Sequence, residues 1–164
     1  MPIPTIRIRP AERGDHAFIL GLSPRLAEVG RLTGRSAEEI QRFQDRYMHA
    51  ALAIAAPDVA TMIALAEDDQ RLGFIHLETA PDPVTGEAAA YVAMLAVTAE
   101  AEGRGIASRL MAAAEDWARE RRYRCISLDV FASNQHGRRF YARQGYHEDS
   151  VKLYKLLDRP SADD

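Results

Sequence analysis

Gly103, Gly105 and Ala107 stand in the stretch 95–110, where an apolar strand gives way to an amphipathic helix. Side chains this small let an anion approach backbone N–H groups, and the unpaired amides of a first helical turn add a partial positive charge there. The predicted chemistry is the binding of a cofactor's pyrophosphate by main-chain donors between Glu102 and Ser108, with no lysine required. The Ser108 hydroxyl can add one bond. Glu102 has the wrong sign for a phosphate neighbour, so either its side chain points outward or Arg104 or another nearby basic residue offsets it. The plainer alternative is a small-residue turn that only caps a packed helix.

The elements that must position this turn follow from periodicity. Residues 3–9 alternate around Ile6 and Ile8 as a first strand, which Pro10 closes. Asp15 reads as the N-cap of a short helix through Phe18, Ile19 and Leu22, and Ser23-Pro24 restarts the chain. Ser36 to Glu39 is a capping-box pattern, opening a helix with the stripe Ile40, Phe43, Tyr47, Ala51 and Ile54 and an end near Pro57. Runs 61–66, 72–78 and 89–97, joined by turns at 67–70 and 80–86, predict an antiparallel meander.

From Gly103 to about Arg121, Ile106, Leu110, Ala113, Ala114 and Trp117 keep helical spacing. Arg119, Arg121 and Arg122 at its end read as a solvated helix terminus rather than a nucleic-acid patch. A strand over 125–131, a short helix over 134–143 capped near Gly145, and a last strand over 151–157 complete the order β-α-α-β-β-β-α-β-α-β. The fold class is mixed α/β (α+β), a mainly antiparallel sheet flanked by helices. One parallel pair arises where the long helix crosses over, and ligands favour the carboxyl ends of such strands.

Bulk properties narrow the classes. The 164 residues, 47% hydrophobic and 27% charged, suit one domain over 1–158 with a loose tail over 159–164. With 21 Lys+Arg against 24 Asp+Glu the net charge is −3, which argues against a nucleic-acid protein held by a general basic field. No apolar run approaches the roughly 20 residues that cross a bilayer, and the start lacks a leader pattern, so a cytoplasmic protein without membrane attachment is expected. Cys125, the single cysteine, lies in an apolar run and reads as a buried thiol rather than a nucleophile. No His/Cys/Asp/Glu spacing predicts a metal site.

Three linked pieces resemble the Gcn5-related N-acetyltransferase (GNAT) superfamily, over roughly residues 6–157 and most closely over 91–146. The strand 91–97 runs into Glu102-Gly103-Arg104-Gly105-Ile106-Ala107, which lines up with the family's acetyl-CoA motif of Gln or Arg, two residues, Gly, one residue, Gly or Ala. A strand follows the long helix. Residues 134–146 are similar to the family's Asn, helix, Tyr, then Gly plus aromatic ending. The departure is Glu102, where Gln or Arg is usual.

What the resemblance implies is a site for acetyl-CoA as acyl donor, in a fold where two parallel strands splay apart. It places the pantetheine arm along the backbone of Leu95, Ala96 and Val97, with an N–H near Leu95 on the thioester carbonyl. The pyrophosphate falls on Glu102, Gly103, Arg104, Gly105, Ile106, Ala107 and Ser108. Asn134 is implied as a cofactor contact, with a helix N-cap as the alternative. Tyr141 is implied both as a cofactor contact and as the acid that protonates the departing thiolate, with simple packing beside the thiol as the alternative. Several relatives carry a glutamate base where this chain has Tyr91. His76 and Glu78 share strand parity and so project on one face, able to accept a proton directly or through water. A polar pair on a solvated face is the other reading.

The expected activity is acetyl transfer to a primary amine of a small molecule or peptide, by direct attack in a ternary complex. Arg31, Arg35, Glu78 and Tyr91 are candidates to line the acceptor side. A non-catalytic acyl-CoA sensor or interaction module is the alternative, supported by the departures at Glu102 and Tyr91. Relatives often pair through sheets or last strands, so a homodimer is also an expectation of the resemblance.

Overall fold

The computed structural model describes residues 5–158. The expected first-strand start at Ile3 and the tail 159–164 lie outside the described residues. Strands β1 (Arg7–Pro10), β2 (Val59–Leu65), β3 (Arg71–Pro81), β4 (Ala88–Val97) and β5 (Ile126–Leu128) form one sheet in that spatial order. β1 to β4 are antiparallel, and β4 pairs in parallel with β5. Both meander turns are closed by backbone bonds, from Ala66 N–H to Gln70 O at 2.9 Å and from Asp82 N–H to Glu87 O at 2.8 Å.

Helices α1 (His16–Gly21), α2 (Ser23–Glu28) and α3 (Ala37–Ala53) belong to one face of the sheet, and α4 (Ile106–Glu120) packs on the other. Helix α5 (Gln135–Arg143) follows β5 and sends Phe140 and Tyr141 onto the α4 side. The capping box at α3 forms as its residues predict: Glu39 N–H donates to Ser36 Oγ at 3.1 Å and Ser36 N–H donates to Glu39 Oε2 at 2.7 Å. β3 is covered on both faces, with Phe74 in the α1/α3 layer and Ile75 and Leu77 in the α4 layer. Its near-continuous apolar run follows from this double burial.

One irregularity shapes everything downstream. Along β3 and β4 the partners run His76↔Met94 and then Leu77↔Val92, so Ala93 is an extra residue, a β-bulge in β4. Before it, Ala90 and Val92 pack in the α4 layer; after it, Met94 and Ala96 pack in the α1/α3 layer. An unbroken strand would keep these four residues on one face. The pairing with β5 also stops here, its last partners being Val92 and Leu128. From Ala93 to Val97, β4 has, among the described residues, a neighbouring strand on the β3 side alone.

Several expectations are corrected. Residues 151–157 form no strand, and Val151, Leu153, Leu156 and Leu157 are exposed. The segment instead crosses to the α2–α3 connection, where Arg35 stacks 3.9 Å over the Tyr154 ring and Leu156 lies against Gly34. β5 is three residues long rather than seven, and Cys125, just ahead of it, is exposed rather than buried. In α3 the buried positions are Ile40, Met48 and Ala51, whereas Phe43 and Ile54 are exposed. The core-facing arc is therefore narrower than the apolar stripe.

Asp15 stands at the N-cap position of α1 but its carboxylate does not cap that helix. Only 1% exposed, it accepts from Arg9 Nη1 at 2.7 Å and the Glu12 amide at 2.8 Å through Oδ2, and from Arg71 Nε at 2.7 Å through Oδ1. It ties β1 and β3 to the start of the helical layer. The Arg9 hydrogen bond, aided by those of Glu12 and Arg71, holds this carboxyl well below the usual carboxylate range against the opposing effect of burial. A depressed carboxyl contributes stability above its unfolded pKa and loses it as pH falls toward the folded one. Asp15→Asn should cost about 2 kcal/mol at pH 7, since it leaves two partly exposed arginines without their anion. In urea unfolding the gap to wild type should shrink progressively below about pH 4; a gap independent of pH would contradict the assignment.

Candidate active site

A cleft of about 1110 Å³ opens where β4 and β5 part. Its floor is β4 from Tyr91 to Val97, one end is the turn before α4, and α5 and the α2–α3 layer supply its sides. Because, among the described residues, no strand lies beside Ala93–Val97 on the β5 side, the backbone groups there, apart from the Val97 carbonyl that Arg25 engages, are free to pair with an extended ligand, as an added strand would.

At the α4 end, Gly103 and Gly105 have φ of 72° and 76°, a left-handed conformation in which glycine avoids the strain of a Cβ. Gly105 occupies the N-cap of α4, no side chain caps the helix, and its first turn holds no acidic residue. The first helical bond runs from Arg109 N–H to Gly105 O at 3.2 Å. The amides of Ile106, Ala107 and Ser108 therefore have no carbonyl acceptor within the helix, and all three residues line the cleft. A donor set of this kind fits a diphosphate.

Of the residues expected at the cofactor, Leu95, Ala96, Val97, Glu102, Gly103, Gly105, Ile106, Ala107, Ser108, Asn134 and Tyr141 all line this one cleft, and Arg104 does not. Arg25 of α2 offsets Glu102: its guanidinium pairs with the Glu102 carboxylate, and its Nε donates to Val97 O at 2.8 Å. This cation comes from a helix remote in sequence, which local reading around Glu102 could not reach. Asn134 caps α5, its Oδ1 accepting from Gly137 N–H at 2.9 Å. The Ser108 hydroxyl already accepts from Gln144 Nε2 at 3.1 Å.

Tyr141 packs edge-on against Phe140 and Tyr146. Burial alone pushes its phenol up to about 12, so it stays protonated across the neutral range. His76 and Glu78 do share a face, with His76 Nε2 at 3.5 Å from Glu78 Oε1 and the Thr61 hydroxyl at 2.7 Å from His76 Nδ1. His76 is 1% exposed, and burial lowers its pKa against the opposing pull of Glu78, so it is neutral at pH 7. Neither residue lines the cleft; Tyr47, which does, donates to Glu78 Oε1 at 3.4 Å. Burial and the Glu78 charge push the Tyr47 phenol up to about 12.

On the same side Tyr91, opposite Glu78 in the β3–β4 ladder, donates to Asp129 Oδ2 at 2.9 Å. Burial, more than the Asp129 bond, raises the Tyr91 phenol far above its usual value. Arg31 and Arg35 lie outside the cleft. Sequence reasoning missed Asp129, Phe43 and Tyr47 as site residues. The signal for Asp129 was a charge two residues past Ser127 in an otherwise apolar run. For the two aromatics the helical stripe pointed to the core instead.

The model of the acetyltransferase (GNAT) family matches residues 27–146. A curated relative, the uncharacterized N-acetyltransferase YhfO of Bacillus subtilis, is 26% identical over 157 residues, covering 95% of this chain and 99% of its own. Among solved structures, an aminoglycoside N-acetyltransferase AAC(6')-Iy in complex with CoA superposes with TM-score 0.69 at 20% identity, covering 93% of this chain and 95% of that one. A ribosomal-protein-alanine N-acetyltransferase from Brucella melitensis biovar Abortus superposes with TM-score 0.68 at 22% identity, covering 93% of this chain and all of that one.

Proposed function

This chain belongs to the acetyltransferase (GNAT) family, and we propose that it moves an acetyl group from acetyl-CoA to a primary amine by direct attack within a ternary complex. The observation that carries the reading is the continuity of two donor sets in one cleft: the open edge of β4 from Ala93 to Val97 leads to the uncapped first turn of α4. Together they match the shape and polarity of a pantetheine arm ending in a diphosphate. Acetyl-CoA supplies the activated acyl group when bound.

In this reading the amides of Ile106, Ala107 and Ser108 hold the diphosphate, and Arg25 keeps the Glu102 charge from opposing it. The β4 edge aligns the arm, and an N–H near Leu95 hydrogen-bonds the thioester oxygen, favouring the negative charge that develops there. The amine nitrogen attacks the carbonyl carbon, the C–S bond breaks, and the Tyr141 phenol gives its proton to the departing sulfur. Glu78 takes the proton lost by the amine, through water along the Tyr47 side of the cleft. Neutral His76 positions that carboxylate, with the Thr61 hydroxyl at its Nδ1 and Glu78 at its Nε2; a proton on Nε2 suits the carboxylate.

Thiol release from acetyl-CoA with a panel of primary amines tests this. Amine-dependent release is expected, and tight coenzyme A binding without any release would favour a binding module. Tyr141→Phe should lower kcat on the order of 100-fold with little change in the acetyl-CoA KM. Because the phenol sits near 12, wild type should show no alkaline loss from this group below about pH 10. Full activity in Tyr141→Phe would remove Tyr141 from the acid role.

The ion pair makes a second prediction. Arg25→Met should raise the acetyl-CoA KM about fivefold by exposing the Glu102 charge to the diphosphate, and adding Glu102→Gln should recover most of the loss. A double variant as impaired as Arg25→Met would contradict charge compensation.

A further inference from the structure

Resting on the transferase reading, we propose that the acceptor end of the cleft selects an amine that carries a second positive charge, held by Asp129 beside the aromatic wall of Phe43, Tyr47 and Tyr91. The two ends of the cleft have opposite character. The α4 end presents unpaired N–H donors, whereas the far end presents three aromatic side chains and a carboxylate.

Asp129 is exposed in the cleft wall, and the Tyr91 hydroxyl donates to one of its oxygens. Among the described residues no arginine, lysine or histidine lies within ion-pair distance of it, and Lys152, which also lines the cleft, is exposed and forms no ion pair there. Asp129 Oδ1 is thus available to a cation from solution. Phe43 is 54% exposed although it stacks on Tyr47, with centroids 6.0 Å apart and planes at 17°. An exposed ring stacked at a cleft mouth offers a face to methylene groups and to an ammonium.

A second nitrogen follows from Asp129 acting as a cation holder. The attacking nitrogen must be neutral, and a carboxylate that binds an ammonium holds its nitrogen in the unreactive form. A cation that Asp129 holds through the reaction is therefore a different nitrogen from the one that attacks, and in the transferase reading Glu78 takes the attacking nitrogen's proton. The fold separates the two carboxylates around Tyr91: Glu78 is its partner across the β3–β4 ladder, and Asp129 is at its hydroxyl on the β5 side. An aliphatic amine with a second ammonium several carbons away satisfies both at once. A linear polyamine and an aminosugar share this chemistry.

The test compares 1,5-diaminopentane with pentylamine, which differ in the second charge, by amine-dependent thiol release. Wild type should prefer the diamine by at least about fivefold in kcat/KM. Asp129→Asn should reduce the preference below about twofold, mainly through the diamine KM, and Tyr91→Phe, which keeps the charge but loses its anchor, should fall between. Kanamycin as a further acceptor distinguishes a rigid aminosugar from a linear chain. Equal rates with the two amines, a preference that survives Asp129→Asn, or a stronger preference for a zwitterionic amino acid would overturn the proposal. If neither these two nor the wider panel of primary amines releases thiol, the transferase reading fails by itself. Calorimetry on protein saturated with coenzyme A then decides the subsite: tighter diamine binding that Asp129→Asn removes sustains it, and equal binding overturns it.

Discussion

The site depends on one extra residue in one strand. Ala93 has no partner of its own across β3, and its insertion turns the rest of β4 over. Where that happens, pairing with β5 stops. A regular parallel pair would have satisfied the β4 backbone along its length and left no room for a ligand between the strands. The bulge and the early end of the ladder instead leave a row of backbone groups facing a cleft, directed toward the uncapped turn of α4. The energetic expense of unpaired backbone is tolerated here because the groups border solvent-filled space rather than core.

Charge is sorted along this cleft. Arg25 reaches from α2 to both Glu102 and the Val97 carbonyl, so one side chain neutralises the acidic residue of the glycine turn and pins the strand end that precedes it. This accounts for Glu102, one of the two departures on which a purely binding role rested; the other, Tyr91 in place of a glutamate, is unchanged by it. At the other end Glu78 and Asp129 are each held by a tyrosine. Solved proteins of the same fold are named for acceptors as different as an aminoglycoside and a ribosomal protein's alanine.

The parts legible in the sequence are those whose chemistry is local. Gly103 and Gly105 mark a turn because their backbone is left-handed, Ser36 and Glu39 mark a helix start because they cap each other, and Asn134 marks the start of α5 because its side chain accepts from the Gly137 amide. The antiparallel meander follows from alternation and turn residues. What escaped depends on packing between distant segments. The bulge at Ala93 has no residue signature, since alanine is common on both sides of it. Phe43 keeps helical spacing with the core yet sits beyond the arc that meets the sheet. The apolar residues of 151–157 satisfy a strand pattern, but the chain takes them away from the β5 edge. Asp129 and Arg25 could be recognised as site residues only after the fold had brought β5, α2 and the glycine turn together.

The most direct test is an amide NMR titration of the protein with coenzyme A. The structure predicts that the largest perturbations fall on Gly103 to Ser108 and along Ala93 to Val97, with smaller ones on the remote strands β1 and β2. Binding that leaves those two backbone segments unperturbed, or no binding at all, would contradict the claim that the open strand edge and the uncapped helix form one site for the acyl carrier.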